Sequence, residues 1–210
     1  KLSVVEDCAH SLGAEYKGKK TGNLGTIGCF SFYPTKIITT IEGGMATTND
    51  DQPARRMRIL REHGMSKTAL DREAGATWYY DVTDLGYNYR LNEVQASLGI
   101  SQMGKIAGGI KRRVKAASYY TKKLHECAPN GIVPPYEAPD RSHIFHLYTI
   151  RVQKDAAGIT RNELFTRLQS NGIGLSVHYT PLHLMSFYRQ FLDAKLNAFP
   201  AAEHVYAEIL

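Results

Sequence analysis

The stretch that most constrains the fold is an alternating segment that ends in a proline and leads to a lysine and a glycine pair. Residues 27–33 show the period-2 pattern of a β-strand. One face carries Ile27, Cys29, Ser31 and Tyr33. Pro34 cannot donate a hydrogen bond to a sheet and therefore ends the strand. Lys36 is expected just beyond that strand end, and Gly43-Gly44 then lets the backbone turn tightly or approach a ligand closely.

A second, acidic stretch lies upstream. Residues 2–7 predict a short buried strand that ends in Glu6-Asp7. Ligands of open α/β sheets collect at the carboxyl ends of strands, so we expect Asp7 and Lys36 at one edge, on two different strands. A lysine that can form a Schiff base and an aspartate that can hold a pyridinium nitrogen are the two groups that a pyridoxal phosphate site needs. Taken singly, a surface lysine and a strand-end aspartate remain ordinary alternatives.

Together these stretches are part of a wider resemblance. The chain resembles the pyridoxal phosphate-dependent nucleotide-sugar aminotransferases of the DegT–StrS group. The matching segments, in the family's order, are residues 6–10, 30–36, 39–44, 85–91 and 177–183. The resemblance implies an α/β fold, that of a fold-type I transferase, with a mainly parallel sheet in a large domain and a smaller C-terminal α+β domain.

The resemblance also implies how the chain is divided. Residues 1–108 would be the C-terminal part of the large cofactor-binding domain. Residues 109–210 would be a connecting helix and an incomplete small domain. Family members are considerably longer at both ends, so we expect that N-terminal and C-terminal segments are missing from this sequence.

For each residue of a cofactor site the resemblance implies a role. Lys36 would hold pyridoxal phosphate as a Schiff base and move protons during amine transfer, and Asp7 would pair with the pyridine nitrogen. Ser31 would donate a hydrogen bond to the phosphate, and His10 would contact the ring hydroxyl. Asn88 would reach the phosphate from the neighbouring subunit, so that a homodimer shares its active sites. An ordinary structural role is the alternative for each residue.

Three further residues are expected to bind substrate. The resemblance places His178 and Tyr179 near the sugar or its diphosphate. Arg90 could serve the same anion as Asn88, and a salt bridge beside a helix is the alternative. No cysteine or carboxylate pattern accompanies the histidines at 178 and 183, so no metal site is expected.

Two positions depart from the family's pattern. Cys8 stands where alanine is usual, and Ile41 stands where glycine is common. Both are expected near the cofactor, and neither removes a chemical group that the reaction needs. A related branch that carries histidine in place of the lysine performs dehydration, and Lys36 argues against that branch.

Composition narrows the class of protein. The 26 Lys and Arg against 20 Asp and Glu give a net charge of +6, but the densest clusters, at Arg55-Arg56 and residues 111–113, fall in predicted helices. We interpret them as solvated helix faces that could attract an anionic nucleotide-sugar, not as a nucleic-acid site. The sequence contains no apolar run of about 18 residues, so no membrane span is expected. Three widely spaced cysteines indicate reduced thiols in the cytoplasm.

Periodicity and capping signals predict the remaining elements. Helices are expected from Asp51 as a possible cap to Gly64, from Asn92 onward, over 111–126, from Thr160 to Asn171-Gly172, and over 199–210. Strands are expected over 45–48, 146–152 and 175–179, and a loop over 65–78.

The function predicted from these residues is transamination of a nucleotide-linked keto-sugar. An amino acid, glutamate or glutamine, would donate the amine, and the product would enter amino-sugar or surface-polysaccharide synthesis. The alternative is a regulatory homologue of the same fold that binds pyridoxal phosphate without turnover. A basic nucleic-acid-binding protein would rest on charge alone.

Overall fold

The computed structural model describes residues 2–75, 77–128, 130–191 and 198–210. The chain divides into two compact units, and the first of them is built from two separate stretches. The first unit comprises Lys1–Val114 and Ala138–His146, and the second comprises Lys115–Glu137 and Leu147–Leu210.

Short strands and longer helices follow one another along the chain. The strands are β1 (Val5–Asp7), β2 (Glu15–Tyr16), β3 (Lys19–Lys20), β4 (Ile27–Ser31), β5 (Gly44–Thr47), β6 (Ile132–Val133), β7 (Arg141–Ser142) and β8 (Arg151–Val152). The helices are α1 (Asp51–Arg61), α2 (Ala69–Ala74), α3 (Glu93–Met103), α4 (Ile106–Cys127), α5 (Lys154–Ala157), α6 (Arg161–Ser170), α7 (Ser186–Arg189) and α8 (Pro200–Glu208). A 3₁₀-helix covers Leu182–Leu184.

A three-stranded sheet in the first unit has the order β1-β4-β5. Strand β1 runs parallel to β4, with Asp7 opposite Cys29, and β5 returns antiparallel to β4. The predicted strand begins at Ile27 as expected, although its ladder stops at Ser31. The prediction that the acidic strand is buried is wrong, since Val5 is 63% exposed. Strand β1 lies at an edge of the described sheet, and most of the Val5 side chain is not covered by the described residues.

A second sheet of the first unit has the order β3-β2-β7 and is antiparallel throughout. Its third strand comes from the later stretch of the unit: Glu15 lies opposite Ser142 and Tyr16 opposite Arg141. The backbone N–H of Lys17 extends this pairing by donating to the Asp140 carbonyl at 2.6 Å. Main-chain hydrogen bonds therefore attach residues 138–146 to the first unit.

Helix starts follow the capping chemistry of the sequence. The reciprocal boxes at Asn92 with Gln95 and at Thr160 with Glu163 are both formed, which confirms those two predictions. The first helix is capped by Asp50, whose side chain accepts from the Gln52 N–H, and not by Asp51. Asp51 instead lies in the first turn, where its charge favours the helix dipole.

The predicted loop over 65–78 contains a helix. Thr68 accepts from the Asp71 N–H while the Asp71 carboxylate accepts from the Thr68 N–H, which caps α2. The motif was missed because aspartate occupies the place where a capping box usually has glutamate or glutamine. Helix α4 likewise begins at Ile106, earlier than predicted, because two consecutive glycines within its first turn do not stop it.

The second unit has a small antiparallel ladder, β6 with β8. Val152 on β8 is 1% exposed and forms part of the core. The strand predicted over 146–152 is reduced to Arg151–Val152, and residues 175–179 form no strand. Alternation in such short segments is not enough without a neighbouring strand to complete a ladder. Beyond the ladder, Ile150 exchanges backbone hydrogen bonds with Leu210 after α8.

A buried polar pair joins two segments of the second unit. His183 is 6% exposed, and its Nε2 lies 3.0 Å from Oε1 of Glu203 on α8. This contact ties the 3₁₀-helix to α8. In the described part of the chain, no helix is both long and apolar enough to cross a membrane.

We expect replacement of Ile41 by glycine to stabilise the first unit. Ile41 has φ of 72° and is 61% exposed, so its branched side chain adds backbone strain and little burial. Relief of the left-handed conformation should raise the free energy of unfolding by about 0.5–1 kcal/mol, net of the greater freedom of glycine in the unfolded chain. Urea unfolding of Ile41→Gly measures this.

The matched control is Ile173→Gly, because Ile173 is 49% exposed and does not have a positive φ. That substitution should lower the unfolding free energy. Equal losses in both variants would contradict the strain at Ile41.

Candidate active site

Asp7 is the last residue of β1 and is exposed at the carboxyl end of that strand. Its Oδ1 accepts the Ala9 N–H at 3.0 Å, which closes a turn directly after the strand. Its Oδ2 accepts no hydrogen bond from the residues that the structure describes. The carboxylate is therefore fixed by one oxygen while the other can receive a ligand's proton.

Ser31 ends the neighbouring parallel strand and lies on the same face of the sheet as Asp7. The register pairs Asp7 with Cys29, and side chains two residues apart on a strand share a face. The Ser31 hydroxyl oxygen accepts the Tyr33 N–H at 3.4 Å, which leaves its O–H free to donate. A carboxylate acceptor and a hydroxyl donor thus occupy one edge of the sheet.

Lys36 follows in a compact loop beyond the carboxyl end of β4. Its N–H donates to the Tyr33 carbonyl at 2.9 Å, and the Phe32 N–H donates to Gly43 at 2.9 Å, so the loop folds back on the strand end. The Thr40 N–H donates to the Phe32 carbonyl, and Thr40 is 1% exposed. The half-buried Lys36 side chain forms no ion pair with a carboxylate of the described residues.

Glu6 points to the other face of the sheet from Asp7 and holds a loop in place. Its two carboxylate oxygens accept the N–H groups of Gly22, Leu24 and Gly25 at 2.9, 2.7 and 2.6 Å. Partial burial alone would raise the pKa of the Glu6 carboxyl, but these three backbone donors bring the pKa below its ordinary value. The ionised carboxylate therefore fastens the loop to β1 beside Asp7.

Cys8 lies on this second face of the sheet, with Glu6. Its side chain is 2% exposed, and its Sγ donates to Glu6 Oε2 at 3.8 Å. Burial raises the pKa of the Cys8 thiol, and the Glu6 carboxylate raises it further. Cys8 is therefore a neutral packing residue.

His10 follows the Asp7 turn and contacts a residue distant in sequence. The rings of His10 and His146 lie with centroids 4.2 Å apart and planes tilted by 44°. His146 belongs to the later stretch of the first unit.

Asn88 and Arg90 lie in an extended stretch beside the end of α1. The Asn88 backbone pairs with Glu62, and the Arg90 Nε donates to the Glu62 carboxylate at 2.8 Å. Gly64 and Gly86 meet so closely that a Cβ on either would collide with the opposite backbone. Arg90 thus has the salt bridge that the sequence left as an alternative, while the Asn88 side chain is exposed.

A cavity of about 1020 Å³ adjoins this stretch. Its lining includes Arg58, Arg61 and Arg90 together with Tyr87 and Tyr89. The two tyrosine rings are stacked, with centroids 4.9 Å apart. The wall therefore combines positive charge with exposed aromatic faces.

The remaining predicted residues, His178 and Tyr179, belong to the second unit. His178 lies 3.3 Å from the Ser176 hydroxyl through Nδ1, and its ring meets that of Tyr179 edge to face at 4.3 Å. Both residues line a surface cavity with residues of α8. Among the described residues no group of three or more His, Cys, Asp or Glu could hold a metal ion.

Sequence reasoning missed two residues that support this site. Glu6 was passed over although it precedes Asp7, since strand alternation sends the two carboxylates to opposite faces. The glycines at 22 and 25 were its signal, because glycines allow a loop backbone to approach a carboxylate closely. His146 was assigned to a strand, and nothing local shows its contact with His10.

We expect Glu6→Gln to destabilise the first unit in a pH-dependent way. An amide cannot accept all three N–H bonds without presenting its own NH₂ to one of them, so at neutral pH the variant should lose about 1–3 kcal/mol of unfolding free energy. The Glu6 pKa is lower in the folded than in the unfolded state. Its stabilisation is therefore present above the unfolded pKa and is lost as the pH falls through the folded value.

The difference between native protein and Glu6→Gln should accordingly shrink on acidification below about pH 4. Denaturant unfolding between pH 3 and pH 8 measures it. Glu73→Gln, at an exposed residue of α2, is the matched control and should show little change. A difference for Glu6→Gln that is constant over this range would refute the carboxylate's role.

Comparison with known proteins agrees with the fold. Residues 1–210 match the DegT/DnrJ/EryC1/StrS aminotransferase family. The chain is 37% identical over 211 residues to the spore coat polysaccharide biosynthesis protein SpsC of Bacillus subtilis, covering 100% of this chain and 54% of that protein. It is 36% identical to the UDP-4-amino-4,6-dideoxy-N-acetyl-beta-L-altrosamine transaminase of Campylobacter jejuni serotype O:23/36. That match covers 91% of this chain and 48% of the transaminase.

A solved structure shows the same architecture. The putative sugar aminotransferase Spr1654 of Streptococcus pneumoniae, in its PMP-form, superposes with a TM-score of 0.86 at 29% identity, covering 99% of this chain and 53% of that one. This likeness confirms the predicted α/β fold of the fold-type I transferases. The chain spans about half the length of the relatives it matches. Because the family model matches residues 1–210, the chain belongs to the DegT/DnrJ/EryC1/StrS aminotransferase family.

Proposed function

We propose that the protein transfers an amino group from an amino acid to a keto-sugar carried on a nucleotide, with pyridoxal phosphate as cofactor. Glutamate or glutamine is the proposed amine donor, and amino-sugar or surface-polysaccharide synthesis is the proposed destination of the product. The observation that carries the proposal is the placing of Asp7 and Ser31 on one face at the carboxyl ends of adjacent parallel strands. Lys36 follows in the loop beyond the same edge.

The donor set at this edge fits pyridoxal phosphate. The site offers an amine in Lys36, a carboxylate in Asp7 with one oxygen open to a ligand, and a hydroxyl donor in Ser31. These match the aldehyde, the ring nitrogen and the phosphate of the cofactor in chemical type. When bound, the cofactor supplies an electron sink for the carbon that bears the amine.

The chain's own residues would perform the positioning and the proton transfers. Asp7, held by the Ala9 N–H, would keep the pyridine nitrogen protonated and fix the ring. Ser31 would donate to the phosphate. The Lys36 amine would accept a proton from the substrate carbon that bears the amine and return it to the carbon on the other side of that nitrogen.

The substrate class is proposed from chemistry and similarity together. The Campylobacter relative is named as a transaminase of a UDP-linked amino-sugar, and the Bacillus relative as a polysaccharide biosynthesis protein. A nucleotide-sugar carries a diphosphate, which arginine recognises well. The exposed arginines and tyrosines around the cavity beside α1 are compatible with such an anion.

The remaining roles stay proposals. Asn88 would reach the cofactor phosphate of a neighbouring subunit in a homodimer, and His178 and Tyr179 would contact the sugar or its diphosphate. Arg90 would serve the same substrate only if it leaves Glu62. We further propose that residues 1–108 are the C-terminal part of the large cofactor-binding domain, that residues 109–210 are a connecting helix and an incomplete small C-terminal domain, and that the protein works in the cytoplasm.

Reductive labelling tests the covalent attachment. After incubation with pyridoxal phosphate and borohydride, peptide mapping of the intact protein should place the pyridoxyl group on Lys36. Lys36→Ala should abolish the label, whereas Lys105→Ala, at an exposed lysine, should retain it. A label found on another lysine would end the proposal, and cofactor-loaded protein that has not been reduced and that glutamate does not convert to the pyridoxamine form would indicate a binding homologue.

Replacement of Asp7 by asparagine should slow catalysis without preventing cofactor attachment. An amide cannot balance the charge of a protonated pyridine nitrogen, so kcat for the glutamate half-reaction should fall roughly 10²- to 10³-fold, while the Lys36 label persists. Stopped-flow absorbance measures the rate. Asp51→Asn, in the first turn of α1, should leave it unchanged, and an unaffected rate in Asp7→Asn would remove Asp7 from the site.

A further inference from the structure

Residues 138–146 belong to the first unit, although the chain passes through Lys115–Glu137 of the second unit before it reaches them. Pairing of β7 with β2 fixes their course. The guanidinium of Arg141 lies over the Tyr16 ring, 5.4 Å from its centroid. Ile144, 3% exposed, anchors the segment in the core. The end of this segment is therefore held by sheet hydrogen bonds and by burial.

The backbone next to His146 is locked in an unusual conformation. Phe145 has φ of 49°, a region that a bulky residue rarely enters and that costs about 1–3 kcal/mol. The Phe145 N–H donates to His143 Nδ1 at 2.8 Å. An Arg113 guanidinium N–H donates to the carbonyls of Phe145 and His146 at 3.3 and 3.5 Å. Contacts on both sides thus keep the segment in this turn.

The turn places the His146 ring on the His10 ring, at 4.2 Å between centroids. His10 stands at the end of the turn that Asp7 closes through the Ala9 N–H. Its side chain is exposed, so it depends on neighbouring groups for a fixed orientation. The His146 ring is half-buried and is carried by a rigid, strained segment, so it is suited to fix the orientation of the His10 ring.

We propose that His146 is a positioning residue that fixes the orientation of the His10 imidazole at the cofactor edge. This role rests on the proposed function and on the expectation from the family resemblance that His10 contacts the ring hydroxyl of the cofactor. The contacting group is the ring of residue 146, so an aromatic replacement should keep the effect and an aliphatic one should lose it. His146 itself touches neither cofactor nor substrate in this role.

A double-mutant cycle on the dissociation constant of pyridoxal phosphate tests the coupling in the intact protein. His146→Leu should weaken binding roughly three- to tenfold when His10 is present, and should have no effect in the His10→Ala background. His146→Phe should remain within about twofold of the native protein. His125→Ala, at an exposed histidine of α4, should change nothing.

A second readout needs no cofactor. In the long-range ¹H–¹⁵N spectrum of labelled protein, assigned through His10→Ala, the ring C–H protons of His10 should show the ring-current shift of the adjacent His146 ring, and His146→Leu should remove that shift. Circular dichroism confirms that each variant is folded, and His146→Met, which also lacks an aromatic ring, takes the place of His146→Leu if that variant is unfolded. Equal losses with and without His10, or an unchanged His10 spectrum in His146→Leu, would overturn the proposal.

These outcomes separate the two proposals. If the native protein binds no pyridoxal phosphate, the proposed function fails and the ¹⁵N spectra alone decide whether His146 orders His10. If binding is native and the cycle is additive, the function stands and the positioning role is lost.

Discussion

The parallel ladder between β1 and β4 is the constraint on which the site depends. Its register sets Asp7 opposite Cys29 and so brings the Ser31 hydroxyl to the same face as the Asp7 carboxylate. A slip of one residue would turn every side chain of β1 over and exchange Asp7 with Glu6. In the observed register Asp7 is open to a ligand, whereas Glu6 on the opposite face holds the loop of residues 22–25.

Much of the site could be predicted because its signals are local. Alternation followed by Pro34 defines a strand and its end, and Asn92 with Gln95 and Thr160 with Glu163 define helix starts through contacts within one turn. The order of five short motifs then pointed to the family. Such features depend on neighbours in sequence, and a single chain shows them directly.

What the sequence did not show depends on distant partners. The segment expected as a strand over 146–152 contains only a short ladder, because strand formation needs a partner whose position alternation does not reveal. The contact of His146 with His10 and the hold of Glu6 on residues 22–25 join parts of the chain that no periodicity connects. Cys8 lies on the opposite face of the sheet from Asp7 for a simpler reason: the side chains of adjacent residues along a strand point to opposite sides.

The interrupted make-up of the first unit has a consequence for biosynthesis. Strand β2 emerges from the ribosome long before β7, its partner across the antiparallel ladder, and the whole of α4 is translated in between. Until Ser142 has left the exit tunnel, one edge of β2 keeps unpaired amides, the kind of open edge that recruits other nascent chains. Completion of this unit therefore waits until residues 138–146 have been translated, and a slow stretch of codons before β7 would prolong the period in which the edge of β2 is open.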